Sequence, residues 1–191
     1  GADHDKTRGV TFDRDGNELW RRRLGTSSND FAIAVATDAE GNVYVAGLTD
    51  GALGGAGKGG NDAFLIKYDH AGRILWKRQP GTVDSDLAFG VATDGDGNVY
   101  LAGYTSGSLG GPNRGSVDVF LIKFDSDGRT LWKRQPGSVA EDYVAGVATD
   151  GDGDGDVVGQ TFGALAGADK RSRDAFLIKF HNYWTIQAPD G

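Results

Sequence analysis

"DAFLIKYDHAGRILWKRQPG" occupies residues 62–81, and it returns as "DVFLIKFDSDGRTLWKRQPG" at 118–137. A third copy opens with "DAFLIKF" at 174–180 and then departs into "HNYWTIQAPDG" at 181–191. The spacing is 56 residues each time. "ATD" at 36–38, 92–94 and 148–150 keeps the same period, as does "LW" at 19–20, 75–76 and 131–132. A period that never slips means that every loop has the same length in each copy, and this is how a repeat architecture reads.

Each unit carries four strand-like runs, a to d, bounded by glycine and aspartate. Run a is "FAIAVATD", "LAFGVATD" and "YVAGVATD"; run b is "NVYVAGLT", "NVYLAGYT" and the altered "DVVGQT"; run c is the "FLIK" segment; run d is "NELWRRR", "RILWKRQ" and "RTLWKRQ". β-Branched and aromatic residues favour strands in b, c and d. Runs b and c are almost continuously apolar, as in a sheet covered on both faces. Ala34, Gly90 and Gly146 share one position of run a and fit strands crowded near an axis. Four-stranded antiparallel sheets packed face to face make an all-β propeller. A solenoid is the alternative, although its repeats are usually shorter.

The combined pattern D-A-F-L-I-K-Y-D-x-x-G-x-x-L-W followed by D-x-x-G-N-V-Y-V-A-G-x-T resembles the bacterial SBBP family, the β-propeller repeat, from Thr11 to Phe180. The resemblance implies a propeller fold and an extracellular or cell-surface bacterial setting, and it brings no catalytic residues. Three repeats follow, at 11–66, 67–122 and 123–178, between a tail at 1–10 and an irregular tail at 181–191. The chain does not begin with methionine, so it reads as a processed or excised piece, with Gly1-Ala2 set aside as an expression scar.

Strand order predicts an assembly. The chain opens on a d strand near Asn17–Arg23 and closes on a c strand near Phe176–Phe180. A d strand continuing the last repeat in register requires Gly at 184 and Trp at 188, where the sequence has Trp184 and Ala188. Closed propellers have about 4–8 blades, so three blades per chain predict a homodimer. In it, each N-terminal strand completes the partner's last blade in a six-bladed ring with permuted (velcro) closure. The rival readings are a cut piece of a longer protein, or an irregular fourth blade made from the two termini.

"DGDGDGDVVG" at 150–159 is the a-to-b turn of the third repeat. In the first two copies, aspartate opens the turn and Gly41 or Gly97 supplies positive φ. In the third, Gly155-Asp156 replaces a buried Val-Tyr, and a buried aspartate is costly unless paired or metal-bound. Asp150, Asp152, Asp154 and Asp156 are therefore candidate calcium ligands, alternating as in the first half of an EF-hand loop. Thr161 stands where that loop needs glutamate, and the flanks are strands, so a true EF-hand is excluded. A loosened turn is the competing reading.

The d-to-a and b-to-c loops emerge on one face. The b-to-c loops offer Leu53, Leu109 and Leu165 as anchors and Lys58, Arg114 and Lys170 as basic contacts. Asp30, Asp86 and Asp142 precede strand a, and Asp62, Asp118 and Asp174 precede strand c. These aspartates either fix loop shape through backbone amides or ring a pocket for a cation or polar ligand. Trp20, Trp76 and Trp132 read as blade packing, with the adjoining "KRQ" residues as a solvated edge, and Trp184 as an exposed contact.

The net charge of −7 and a pI near 4.8 argue against a nucleic-acid partner, since phosphate binding needs clustered Lys and Arg. No apolar run of about 18 residues exists, so membrane insertion is not expected. Cysteine is absent. His4, His70 and His181 do not recur at equivalent positions, which leaves a His-based triad or zinc site without support. The favoured function is a non-catalytic binding or scaffold module recognising a glycan or surface protein. A calcium-dependent polysaccharide lyase or hydrolase is the alternative.

Overall fold

The computed structural model describes residues 7–150, 152–165, 167 and 172–181. Among them are thirteen strands and no helix: β1 (Thr7–Phe12), β2 (Glu18–Leu24), β3 (Asp30–Thr37), β4 (Val43–Thr49), β5 (Asp62–Tyr68), β6 (Ile74–Arg78), β7 (Asp86–Thr93), β8 (Val99–Thr105), β9 (Asp118–Phe124), β10 (Thr130–Arg134), β11 (Asp142–Thr149), β12 (Gly155–Thr161) and β13 (Asp174–Phe180). They form an opening hairpin β1–β2, two four-stranded antiparallel meanders β3–β6 and β7–β10, and a three-stranded sheet β11–β13. Tight turns with left-handed glycines join the strands. Gly41, Gly97 and Gly153 serve the a-to-b turns, and Gly16, Gly72 and Gly128 the c-to-d turns.

Two expectations need correction at the N-terminus. Residues 7–10, expected as tail, begin strand β1. β1 holds the c position, since Thr11 pairs with Trp20 as Lys67 pairs with Trp76. The chain therefore opens on a c–d hairpin and not on a lone d strand. The edge of β2 on which the velcro exchange depended is already paired to β1.

Each a strand carries a β-bulge, between Ala32 and Ala34, Ala88 and Gly90, and Val144 and Gly146. A bulge leaves one residue unpaired and re-aims it. Crowding adds to the demand for a small side chain: a Cβ on Gly90 would lie 2.9 Å from Val147 Cγ1 of the neighbouring a strand.

Apolar layers fill the spaces between successive sheets. Leu24, Phe64, Ile66 and Tyr68 lie between the opening hairpin and the first full sheet. Tyr44, Leu65, Leu101, Phe120 and Ile122 bridge the two full sheets. Tyr100, Leu121, Val144, Val157 and Phe176 join the second full sheet to the last. All seven residues of β5 and of β9 are buried, as their almost continuously apolar runs predict, whereas β13 alternates. The reason is position. Leu65 and Leu121 are fully buried, but the equivalent Leu177 is 65% exposed, because among the described residues no sheet packs on that face.

Neighbouring sheets are also clamped by polar contacts. Trp20 Nε1 donates to His70 O at 3.1 Å, and Arg22 donates to Gly72 O and Ala71 O. At the next junction, Trp76 donates to Ser126 O at 2.9 Å, and Arg78 to Gly128 O and Asp127 O. Each guanidinium also lies over its own tryptophan, at 5.6 and 5.3 Å from the ring centre. The tryptophans pack between sheets as expected. The arginines beside them are corrected from solvated edge residues to the second jaw of an inter-sheet clamp.

Candidate functional site

The aspartate-rich segment of the third repeat keeps the ordinary turn. Asp150 Oδ1 accepts from the Asp152 and Asp154 backbone N–H groups at 3.1 and 2.9 Å. Asp94 treats Asp96 and Asn98 in the same way. What differs is the ion pair below the turn. In the first two copies a buried lysine of strand c meets the turn aspartate: Lys67 to Asp38 at 3.6 Å and Lys123 to Asp94 at 3.2 Å. A tyrosine of strand b covers each, Lys67 Nζ lying 5.1 Å from the Tyr44 ring centre and Lys123 Nζ 4.8 Å from that of Tyr100. Burial pushes the Asp38 carboxyl up, but hydrogen bonds from Asn42 and Tyr44, with the charge of Lys67, hold it below its ordinary value. Burial first, and then the neighbouring carboxylates, drive both tyrosines well above theirs.

In the third copy Asp156 takes the tyrosine position, and the pair opens to solvent. Lys179 Nζ lies 2.5 Å from Asp150, 3.7 Å from Asp154 and 3.5 Å from Asp156, and His181 Nδ1 is 2.8 Å from Asp154. The hydrogen bond from Lys179 lowers the Asp150 pKa, and the Lys179 pKa rises in return. Three of the four candidate calcium ligands thus gather around an ammonium group. Asp152 lies apart from them, exposed in the turn. Among the described residues no group of three or more His, Cys, Asp or Glu is arranged to hold a metal ion.

The aspartates at the opposite end shape the loops. Asp30 accepts from Thr26 N, Thr26 Oγ1 and Thr49 Oγ1. Asp86 repeats this with Thr82 and Thr105, and Asp142 with Ser138 and Thr161. These bonds tie the d-to-a loop to the end of strand b. Burial, with Asp62 nearby, raises the Asp86 pKa despite them.

Asp62 Oδ2 accepts from Lys58 N and Gln79 Nε2, and Asp118 Oδ2 from Arg114 N and Gln135 Nε2. Their Oδ1 atoms are buried without a hydrogen-bond partner. Each presses on a glycine instead: a Cβ on Gly81 would lie 1.9 Å from Asp62 Oδ1, and one on Gly137 2.0 Å from Asp118 Oδ1. Gln79 and Gln135 are near-buried and also hold Gly54 N and Gly51 O, or Leu109 N and Gly107 O. They too are corrected from solvated edge residues, since they set the long b-to-c loops. Leu53 and Leu109 are buried in those loops, while Lys58 and Arg114 point outward. Asp174 begins β13 half-buried, with interactions of its own. Lys170 and Trp184 lie outside the described residues.

Near the same loop end is a feature that the repeat pattern hides. Phe89, the unpaired residue of its bulge, stacks on Tyr104 with ring centres 5.0 Å apart. Tyr104 meets Tyr143 edge-on at 5.0 Å, and Tyr143 meets Phe162 at 6.4 Å. Arg173 lies over the Phe162 ring at 5.2 Å. All four rings are partly exposed. Beside them a cleft of about 440 Å³ is lined by Tyr143, Gln160, Arg173 and Asp174, with Ala145 and Gly159 in its walls. The run crosses from one sheet to the next. Its residues occupy non-equivalent repeat positions, so periodicity conceals it; the sequence signal is departure from the repeat, with Phe89 and Tyr104 where the first copy has Ile33 and Leu48, Tyr143 where the second has Leu87, and Phe162 where the first two have Asp50 and Ser106.

Comparison with known proteins agrees with this architecture. The chain is 29% identical over 159 residues to the regulatory protein FlaEY of Caulobacter vibrioides, a match covering 74% of this chain and 17% of the relative. It is 26% identical over 160 residues to an uncharacterized WD repeat-containing protein of Acanthamoeba polyphaga mimivirus, covering 68% of this chain and 12% of that protein. The chain thus spans less than a fifth of the length of either relative. The family model for SBBP, the beta-propeller repeat, matches residues 19–55 and 75–110. With their antiparallel meanders and constant period, these segments are beta-propeller repeats of the SBBP family.

Proposed function

We propose that the chain is a non-catalytic binding module, that its contact surface is the aromatic run Phe89–Tyr104–Tyr143–Phe162 with the adjoining loops, and that its ligand is a protein segment. The observation that carries this reading is four partly exposed rings in mutual contact across two rigid sheets. Exposed aromatics offer large contact area at low entropic cost and dominate binding hot spots. Val83 and Val139, 78% and 89% exposed on equivalent loops, supply further apolar points, and Lys58 and Arg114 supply basic ones. The regulatory and WD-repeat descriptions of the two relatives favour a protein ligand. The carboxylates of this face are engaged with loop amides and hydroxyls, which favours contact over catalysis.

Tyr104→Ser and Tyr143→Ser chains, compared with the unmodified chain on peptide and glycan arrays, test this. Peptides held by the unmodified chain should lose about tenfold or more in affinity with each substitution, equivalent to roughly 1.4 kcal/mol. Glycans lost in the same way would assign a carbohydrate ligand to the site. Binding indifferent to both substitutions would remove the site.

A further inference from the structure

We propose that the edge of β1 away from β2, with the apolar cleft beside it, is an acceptor site for an added β-strand. Its occupant is a partner polypeptide segment of the run b pattern, with a tyrosine and an alanine two residues apart on the buried face.

The two internal junctions define what this position holds. At the first, β3 and β4 pack against β7; at the second, β7 and β8 pack against β11. Tyr44 and Ala46 of β4 are fully buried in the first apolar layer, and Tyr100 and Ala102 of β8 in the second. From the opening hairpin it is a c strand, β1, that packs against β3. Among the described residues β1 pairs with β2 alone. The difference shows in the a strands. Val91 is 8% exposed, whereas its equivalent Val35 is 67% exposed, and Ile33 beside it is 40% exposed. Between hairpin and sheet lies a cleft of about 300 Å³, lined among others by Val10, Trp20, Ile33, Val35, Val45 and Tyr68.

An edge strand offers alternate backbone groups to an incoming segment, and the adjoining groove reads its alternate side chains. Here the acceptor is preformed. Trp20 and Arg22 donate to His70 O and Gly72 O and hold the hairpin against the β5–β6 turn, so ordering is needed in the incoming segment alone. Thr11 holds the register position of Lys67, opposite the tryptophan of strand d. Lys67 meets Asp38 of its a-to-b turn. Threonine brings no charge, so the added strand needs no acidic turn before it.

A synthetic peptide with the sequence of residues 95–106, "GDGNVYLAGYTS", stops short of the turn aspartate and is the probe. Titration calorimetry should show it binding the unmodified chain. Val35→Asp, which sets a charge on the cleft wall, should weaken binding by at least about tenfold. Leu177→Asp, on the exposed face of the last sheet, should leave binding unchanged. Successive amides of a strand point to opposite edges, so two versions of the peptide, N-methylated on one or the other alternate set, separate strand addition from apolar adhesion. One version should lose binding and the other keep it. No binding by the unmethylated peptide, equal effects of the two methylated sets, or binding insensitive to Val35→Asp would each overturn the proposal. Self-association of the chain that Val35→Asp abolishes would overturn it in favour of a second copy in the cleft.

Discussion

A single ion pair, written three times, sets up an internal comparison at the residue scale. Side-chain exposure of the lysine rises from 2% at Lys123 to 8% at Lys67 and 39% at Lys179. Removing one member of a buried pair strands its partner and costs about 3–5 kcal/mol, while exposed pairs contribute little. Denaturant melts of Lys123→Met, Lys67→Met and Lys179→Met should therefore show large, large and small losses. In the third copy the Lys179 ammonium already occupies the space between Asp150, Asp154 and Asp156 and competes with a cation there, so neither calcium nor chelator is expected to move the melting temperature of the unmodified chain. A calcium-dependent rise would show that the cation displaces the ammonium. Gly81 and Gly137 make a second test. Alanine at either would drive a methyl group into a buried carboxylate oxygen, and overpacking of this kind costs about 1–3 kcal/mol.

Among the elements, the loops depend on a few buried polar groups. Gln79 connects strand d, the b-to-c loop and Asp62 at once. Gln79→Ala should lower stability by about 1–3 kcal/mol, since it leaves buried partners unsatisfied. It should also admit protease into residues 51–61 while the rest of the chain stays intact, and limited proteolysis followed by mass analysis would show this. The role of Gln79 was not legible in its surroundings, because "WKRQPG" reads as a charged edge strand. Only the neighbouring loop, folded back over it, reveals the contacts.

At the level of the whole molecule, acid should act through carboxylates whose pKa differs between folded and unfolded chain. The Asp38 pKa is depressed below 3.8. Its contribution is complete above the unfolded value and disappears as pH falls through the lower folded value. Asp86 runs the other way. Its pKa is raised by burial, so its charge works against folding at neutral pH, and that penalty is relieved as pH falls through its folded value. Asp38→Asn should consequently flatten the decline of stability below about pH 4, as read from urea midpoints at several pH values. An unchanged slope would place the acid sensitivity elsewhere.

Periodicity in the sequence was enough to determine the strands from β2 to β13, the a-to-b and c-to-d turns and the face-to-face stacking. Each of these depends on local residue type repeated every 56 positions, and local preferences survive in a linear reading. Tertiary structure alone decided that Thr7–Phe12 is a c strand, because "TRGVTF" lacks the apolar run of its equivalents and is recognised only by its pairing with β2. It alone joined Phe89, Tyr104, Tyr143 and Phe162, which share no repeat position and meet because a bulge and an inter-sheet packing distance bring them together. The aspartate-rich segment needed both. Its turn was visible in the sequence, but the partner of its carboxylates, Lys179, lies 29 residues from Asp150 along the chain and comes within hydrogen-bonding distance only when β12 and β13 pair.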